Sequence, residues 1–186
     1  MISALILAGG KATRLGGIAK HELVIDGRTI FERQREVLAP RVVEILISSP
    51  RDIAGYRTVR DSIEGAGPLA GIAAGLAAAT TPWLLVVAGD MPYLSGAVID
   101  LLLARVGDDG VGVMIDGLPQ PLLCVLHARV GDVLERRLAA QQFKASGLLT
   151  DERLRIRWLA EADVRAVDPQ LNSFVNLNEP QDLRAE

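Results

Sequence analysis

The sequence predicts an α/β fold built on a mostly parallel, mixed β-sheet. Three observations predict it: short and nearly continuous apolar runs, segments of helical period between them, and one connection too short to hold a crossover helix. The runs are Ala4–Ala8, Val43–Ile47, Trp83–Ala88, Val111–Ile115 and Leu122–Leu126, and each reads as a strand buried on both faces. Helical spacing marks Ile30–Leu38, Leu69–Ala79, Ala97–Ala104 and Val130–Ala140. Strands that alternate with helices pair in parallel through crossovers. The exception is DGLP at Asp116 to Pro119, a hairpin signal, so the two strands it joins are expected to run antiparallel.

Taken in order, MISALILAGG is apolar but lacks the basic region of a secretory signal and runs into a Gly-rich loop, so it reads as a buried first strand. The stretch from Gly65 to Gly89 carries no charge. GPLAG and then Thr80–Pro82 interrupt it, so it divides into an Ala-rich helix and a separate strand instead of one membrane span. Phe143 to Val167 is richer in charge, with short apolar pieces such as IRWL, and shows no clear period. In FVNLNEPQDL, Asn176 and Asn178 alternate with apolar residues, which predicts a short strand with both amides on one face. Glu179, Pro180 and Asp182 then open a C-terminal helix.

Composition narrows the function. A chain of 186 residues suits one domain, residues 1–186, since domains run to about 100–200 residues. With 49% hydrophobic but only 4% aromatic residues, the core must be built from Ala, Val, Leu and Ile. The net charge of −3 comes without any long basic run, which argues against nucleic-acid binding. Of the 20 basic residues only Lys11, Lys20 and Lys144 are lysines. A single cysteine, Cys124, excludes a disulfide framework and a Cys-rich zinc site. His21 and His127, the two histidines, give little support to a His metal site or a Ser-His-Asp triad. A cytoplasmic enzyme or binding domain is the expectation, with no membrane association.

Three loops carry chemistry. LAGGKATRLGGIAK, Leu7 to Lys20, leads from a strand into paired glycines whose amides can approach phosphate oxygens. Arg14 and Lys20 add full charges at the same place. Neither the G-x-x-x-x-G-K-[ST] nor the G-x-G-x-x-G pattern fits this loop. GDMP places Asp90 at the end of a strand, where open α/β sheets bind ligands. A carboxylate there is suited to Mg²⁺, which keeps most of its waters and takes one or two protein oxygens. In EGAGPLAGI, Gly67 and Pro68 form a tight helix entry that can lie against a base or ribose, and Asp61 before it can accept hydrogen bonds from guanine or ribose.

In this order, LAGG-x-x-x-R-x-G-x-x-x-K, D-x-x-x-x-x-GPLAG, GDMP and F-x-N-x-N-x-P, the motifs resemble those of molybdenum cofactor guanylyltransferases, and the match runs from Leu7 to Leu183. The resemblance implies a Rossmann-like three-layer α/β/α nucleotidyltransferase domain that moves GMP from MgGTP to the terminal phosphate of molybdopterin and releases pyrophosphate. It implies nucleotide contacts at Leu7, Ala8, Gly9, Lys20, Ser48, Asp61 and Asp90, with Asp90 on Mg²⁺. Charge adds Arg14 and the amides near Gly10 as holders of the β- and γ-phosphates, and Lys20 as the partner of the α-phosphate. The catalytic set is thus Arg14, Lys20 and Asp90. The expected partners are GTP and molybdopterin, with transient contacts to proteins that donate and accept the cofactor; a monomer is the working state. Family members often carry Asn at Ser48, Asp at Ala19 and a small residue at His21. The rival readings are a cytidylyltransferase for the same pterin, or another small-molecule nucleotidyltransferase, and a non-catalytic GTP-binding module. LAGG, where the cytidylyl sibling has LAAG, leans toward guanine.

Overall fold

The computed structural model describes residues 1–8, 22–60, 63 and 65–177. Strand β1 (Ser3–Leu7) is followed by a small hairpin of β2 (Val24–Ile25) and β3 (Arg28–Thr29), then α1 (Ile30–Leu38), β4 (Glu44–Ser48) and β5 (Arg57–Val59). Next come α2 (Pro68–Ala78), β6 (Trp83–Ala88), α3 (Gly96–Ala104), β7 (Gly110–Ile115), β8 (Leu118–Pro119) and β9 (Leu123–His127). The described chain continues through α4 (Gly131–Ala139), α5 (Ala145–Leu149), β10 (Ile156–Leu159) and α6 (Glu161–Arg165). Every strand and helix expected before Phe143 is present, with ends displaced by at most one residue.

Among the described residues the main sheet has the order β10-β7-β9-β6-β1-β4-β5, with β8 paired to β7. β1 pairs in parallel with both β4 and β6, and β9 runs antiparallel to both β6 and β7. The DGLP turn produces that reversal: Asp116 and Gly117 both take positive φ, 50° and 72°, as a tight hairpin turn requires. The sheet is therefore mixed and mostly parallel, as expected.

Two apolar layers cover it. Alternate residues of each strand point to opposite faces, so Ala4, Ile6, Leu85 and Val87 meet Leu38 of α1 and Val98, Ile99 and Leu102 of α3. Leu5, Leu46, Leu84 and Val86 meet Leu69 and Ile72 of α2, Leu134 and Leu138 of α4, and Leu148 of α5. This is the three-layer α/β/α arrangement. The charge-free stretch resolves into α2 and β6, and among the described residues no helix is long and apolar enough to cross a membrane. Cys124 is buried in β9, where desolvation pushes its thiol up to about 12.

The strand expected around Asn176 does not form. Phe174 closes a 3₁₀ turn, Asn172–Phe174, and the chain beyond it through Leu177 is irregular with Asn176 exposed. Local bonds take the donors a strand would need: the Asp168 carboxylate accepts the N–H groups of Asn172 and Ser173 at 3.0 and 2.8 Å, and the Leu177 N–H goes to the Asp90 carbonyl at 3.0 Å. Asn178 and the helix expected from Glu179 lie outside the described residues.

At the amino ends of the central strands, Glu44 joins four segments. Its Oε1 accepts from Ser3 Oγ, Thr80 N and Thr80 Oγ1, each at 2.6 Å, and its Oε2 accepts from Arg57 at 3.0 Å. Burial by itself would push this carboxyl up, but the hydrogen bonds from Ser3, Thr80 and Arg57 outweigh it and hold the pKa at about 2 instead of 4.5. A depressed carboxylate pKa stabilises the fold above the unfolded value, and that stabilisation is lost as pH falls from about 4.5 toward 2. Glu44→Gln should therefore cost on the order of 2 kcal/mol at neutral pH, after allowance for solvent screening at this partly open position. Urea denaturation at pH 7 and at pH 3 checks this: the gap between parent and variant should narrow in acid, and a gap that stays constant rules the linkage out.

Candidate functional site

The described candidates for the site lie where β1 and β6 end. β1 lies inside the sheet between β6 and β4; the chain leaves it for β4 through α1 on one face and reaches β6 through α2 on the other. That makes the boundary between β1 and β6 a topological switch point, with a crevice beyond the carboxyl ends of the strands. Leu7 stands opposite Ser48 on one side and Ala88 on the other.

Hydrogen bonds continue the pairing past the strand ends. Ala8 N–H donates to the Ser48 carbonyl at 2.9 Å, and Gly89 N–H donates to the Leu7 carbonyl at 3.0 Å. Gly89 is required by proximity: a Cβ there would stand 2.8 Å from the Leu7 carbonyl oxygen and 3.3 Å from Ala8 Cα, and neither backbone atom can give way cheaply. The absent side chain lets the backbone at the end of β6 lie directly against Leu7 and Ala8, and Asp90 follows one residue beyond that contact. Asp90 itself is half-buried.

The entry to α2 forms a further wall. Gly67 caps the helix with φ 60° and ψ −147°, a conformation essentially restricted to glycine, and Pro68 occupies the first turn, where its missing N–H costs little. Behind them Gly71 packs so closely on β1 and β4 that a Cβ would come within 2.7 Å of Ser48 Oγ and 2.8 Å of Leu7 Cδ2. Leu7, Ala8, Ser48, Gly67, Pro68 and Asp90 thus belong to one end of one sheet. Gly9, Gly10, Lys11, Arg14, Ala19, Lys20, His21 and Asp61 lie outside the described residues. His127 is remote: it pairs with Trp83 at the amino end of β6, and its Nδ1 accepts from the Arg129 N–H at 3.1 Å. Burial, then the neighbouring Arg129 charge, lowers its pKa.

The sequence reading missed two groups that hold the Asp90 turn. Gln34 on α1 is fully buried, and its Nε2 donates to the carbonyls of Ala88 at 2.7 Å and Met91 at 3.1 Å. The Leu177 N–H reaches the carbonyl between them, that of Asp90. Gln34 had a signal: it falls four residues from both Ile30 and Leu38, on the buried face of its helix, where a polar residue needs a reason. The Leu177 contact is made by backbone and leaves no mark in side-chain pattern.

Among the described residues no group of three or more His, Cys, Asp or Glu side chains could hold a metal ion. A lone carboxylate does not make a resident metal site. It does fit Mg²⁺ that arrives on a polyphosphate, which needs only one or two protein oxygens and completes its octahedron with phosphate and water. The described part of the crevice therefore offers one such carboxylate, that of Asp90, beyond the end of β6.

Comparison with known proteins agrees with this geometry. A family profile, the MobA-like NTP transferase domain, matches residues 4–155. A molybdenum cofactor guanylyltransferase from Desulfosudis oleivorans is 32% identical, with 98% of this chain and 92% of that protein covered. One from Pseudomonas putida is 34% identical, with 98% and 95% covered. The crystal structure of molybdopterin-guanine dinucleotide biosynthesis protein A from Archaeoglobus fulgidus superposes with a TM-score of 0.80 at 28% identity, covering 97% of this chain and 94% of that one. Similarity of this extent spans both halves of the sheet and the crevice between them, and the chain belongs to the MobA-like NTP transferases, in the family of the molybdenum cofactor guanylyltransferases.

Proposed function

We propose that residues 1–186 form a single nucleotidyltransferase domain that transfers GMP from MgGTP to the terminal phosphate of molybdopterin. An oxygen of that phosphate attacks the α-phosphorus of GTP in line. The new P–O bond forms as the bond to the β-phosphate breaks, and pyrophosphate leaves with the electron pair. The acceptor is already ionised, so the protein needs no general base; catalysis rests on aligning two anions and neutralising the charge that builds on the leaving oxygens.

The chain's own groups divide that work. Arg14 and the amides around Gly10 hold the β- and γ-phosphates. Lys20 balances the charge on the α-phosphate, and Gly67, Pro68, Ser48 and Asp61 bound the guanosine. Asp90 holds Mg²⁺, which when bound supplies charge neutralisation across the phosphates. The observation that supports this reading is the Gly89 contact, which brings the end of β6, one residue before Asp90, against the backbone of Leu7 and Ala8, where the Gly-rich sequence begins.

Pyrophosphate release from each of the four nucleoside triphosphates, with and without molybdopterin, tests it. Release is expected only with GTP, molybdopterin and Mg²⁺ together. Equal release with CTP would replace guanine specificity with the sibling activity, and tight GTP binding without release would leave a binding module.

A further inference from the structure

The crevice depends on a turn, Ala88–Met91, whose carbonyls cannot all be paired by the sheet. Three of them are taken by two distant parts of the chain. Gln34 Nε2 donates to Ala88 and Met91, the residues on either side, and the Leu177 N–H donates to Asp90 itself. Gln34 comes from the face of α1 that otherwise contributes Ile30, Phe31 and Leu38 to the core. Its exposure is 0%, and its Oε1 is buried without a hydrogen-bond partner among the described residues. An unpaired buried acceptor is a standing cost. For the amide, that cost is set against the two carbonyls its N–H groups satisfy, both beside the carboxylate-bearing residue.

We propose that Gln34 is a positioning residue for Asp90: it fixes the peptide planes on both sides of the turn, with the Leu177 N–H as second anchor, so that the carboxylate meets the nucleotide's metal without reorganising. This rests on the reading that Asp90 holds the metal of MgGTP. Gln34 touches neither nucleotide nor metal; it acts through main-chain geometry. A carboxylate held in place binds more tightly than one that must be ordered on binding. The metal-dependent part of GTP affinity should therefore carry the effect, and the metal-free part should not.

The experiment is calorimetric titration of the full chain with GTP, in Mg²⁺ and in EDTA, with thermal melting alongside. The quantity read is the factor by which Mg²⁺ tightens GTP binding. Gln34→Met, which keeps length and removes both donors, should reduce that factor at least fivefold and leave metal-free affinity unchanged. Leu102→Ala on α3, a core truncation away from the turn, should lower the melting temperature and leave the factor as in the parent. If Gln34→Met proves too unstable to titrate, Leu177→Pro, which deletes the other anchoring N–H, should reduce the factor in the same direction. The proposal is overturned if Asp90→Asn reduces the factor but Gln34→Met or Leu177→Pro does not, or if these variants weaken metal-free and metal-bound GTP equally. If Asp90→Asn also leaves the factor intact, the metal reading itself is wrong and the positioning role goes with it.

Discussion

Asp90→Asn should lower the transfer rate by roughly 10²–10³-fold, about 3–4 kcal/mol of transition-state stabilisation, and raise the Mg²⁺ concentration needed for half-maximal rate. The substitution keeps size and shape but exchanges an anionic ligand for a neutral amide oxygen. Mg²⁺ at such a site has few protein oxygens to begin with, so one lost charge is a large fraction of what the chain supplies. The fold should survive. The turn is held through the carbonyls of Ala88, Asp90 and Met91 and through the Gly89 N–H, all main-chain atoms. A Mg²⁺ titration of the rate that overlays the parent's would remove Asp90 from the metal.

Lys20→Ala should slow the chemical step at least 10²-fold, on the order of 3 kcal/mol. Negative charge migrates from the α-phosphorus toward the leaving pyrophosphate during transfer. A lysine near the α-phosphate is worth more in that state than in the ground state, and only such differential binding accelerates the step. The loss should appear in single-turnover rate at saturating MgGTP, with a smaller change in GTP affinity. Removing Arg14 should show the opposite balance, since the terminal phosphates are bound before and during transfer alike. A Lys20→Ala enzyme that turns over at the parent rate under those conditions would contradict the assignment.

Much of this molecule was legible because its strands announce themselves. Wherever a run is buried on both faces, as in Trp83–Ala88, apolar continuity marks it. The parts that escaped are short or peripheral. β5 is three residues long at one edge, and β10, the IRWL piece, lies at the other with Trp158 partly exposed; edge strands need not be apolar on both faces. The Asn176 strand was misread because alternation over so few residues is weak evidence, and the buried Asp168 carboxylate supplied an alternative the pattern could not show. Around the crevice, residue types that carry charge or bend the chain were visible in the sequence: Asp90, Gly67, Pro68. Gln34 was overlooked because its function is addressed to main-chain atoms more than fifty positions away in the chain, joined to it only by folding.

The place of β1 bears on how the protein is made. It is synthesised before both of its neighbours in the sheet, and the residues it pairs with begin only at Glu44 and Leu84. Parallel pairing across crossovers brings distant chain together before any contact repays the loop entropy, and such topologies fold slowly. During translation β1 therefore waits, apolar, with one edge open until β4 is made and the other until β6 has left the ribosome. Substitutions that destabilise α1 or α2 should on this account reduce the yield of soluble protein more than they reduce the stability of the molecules that do fold.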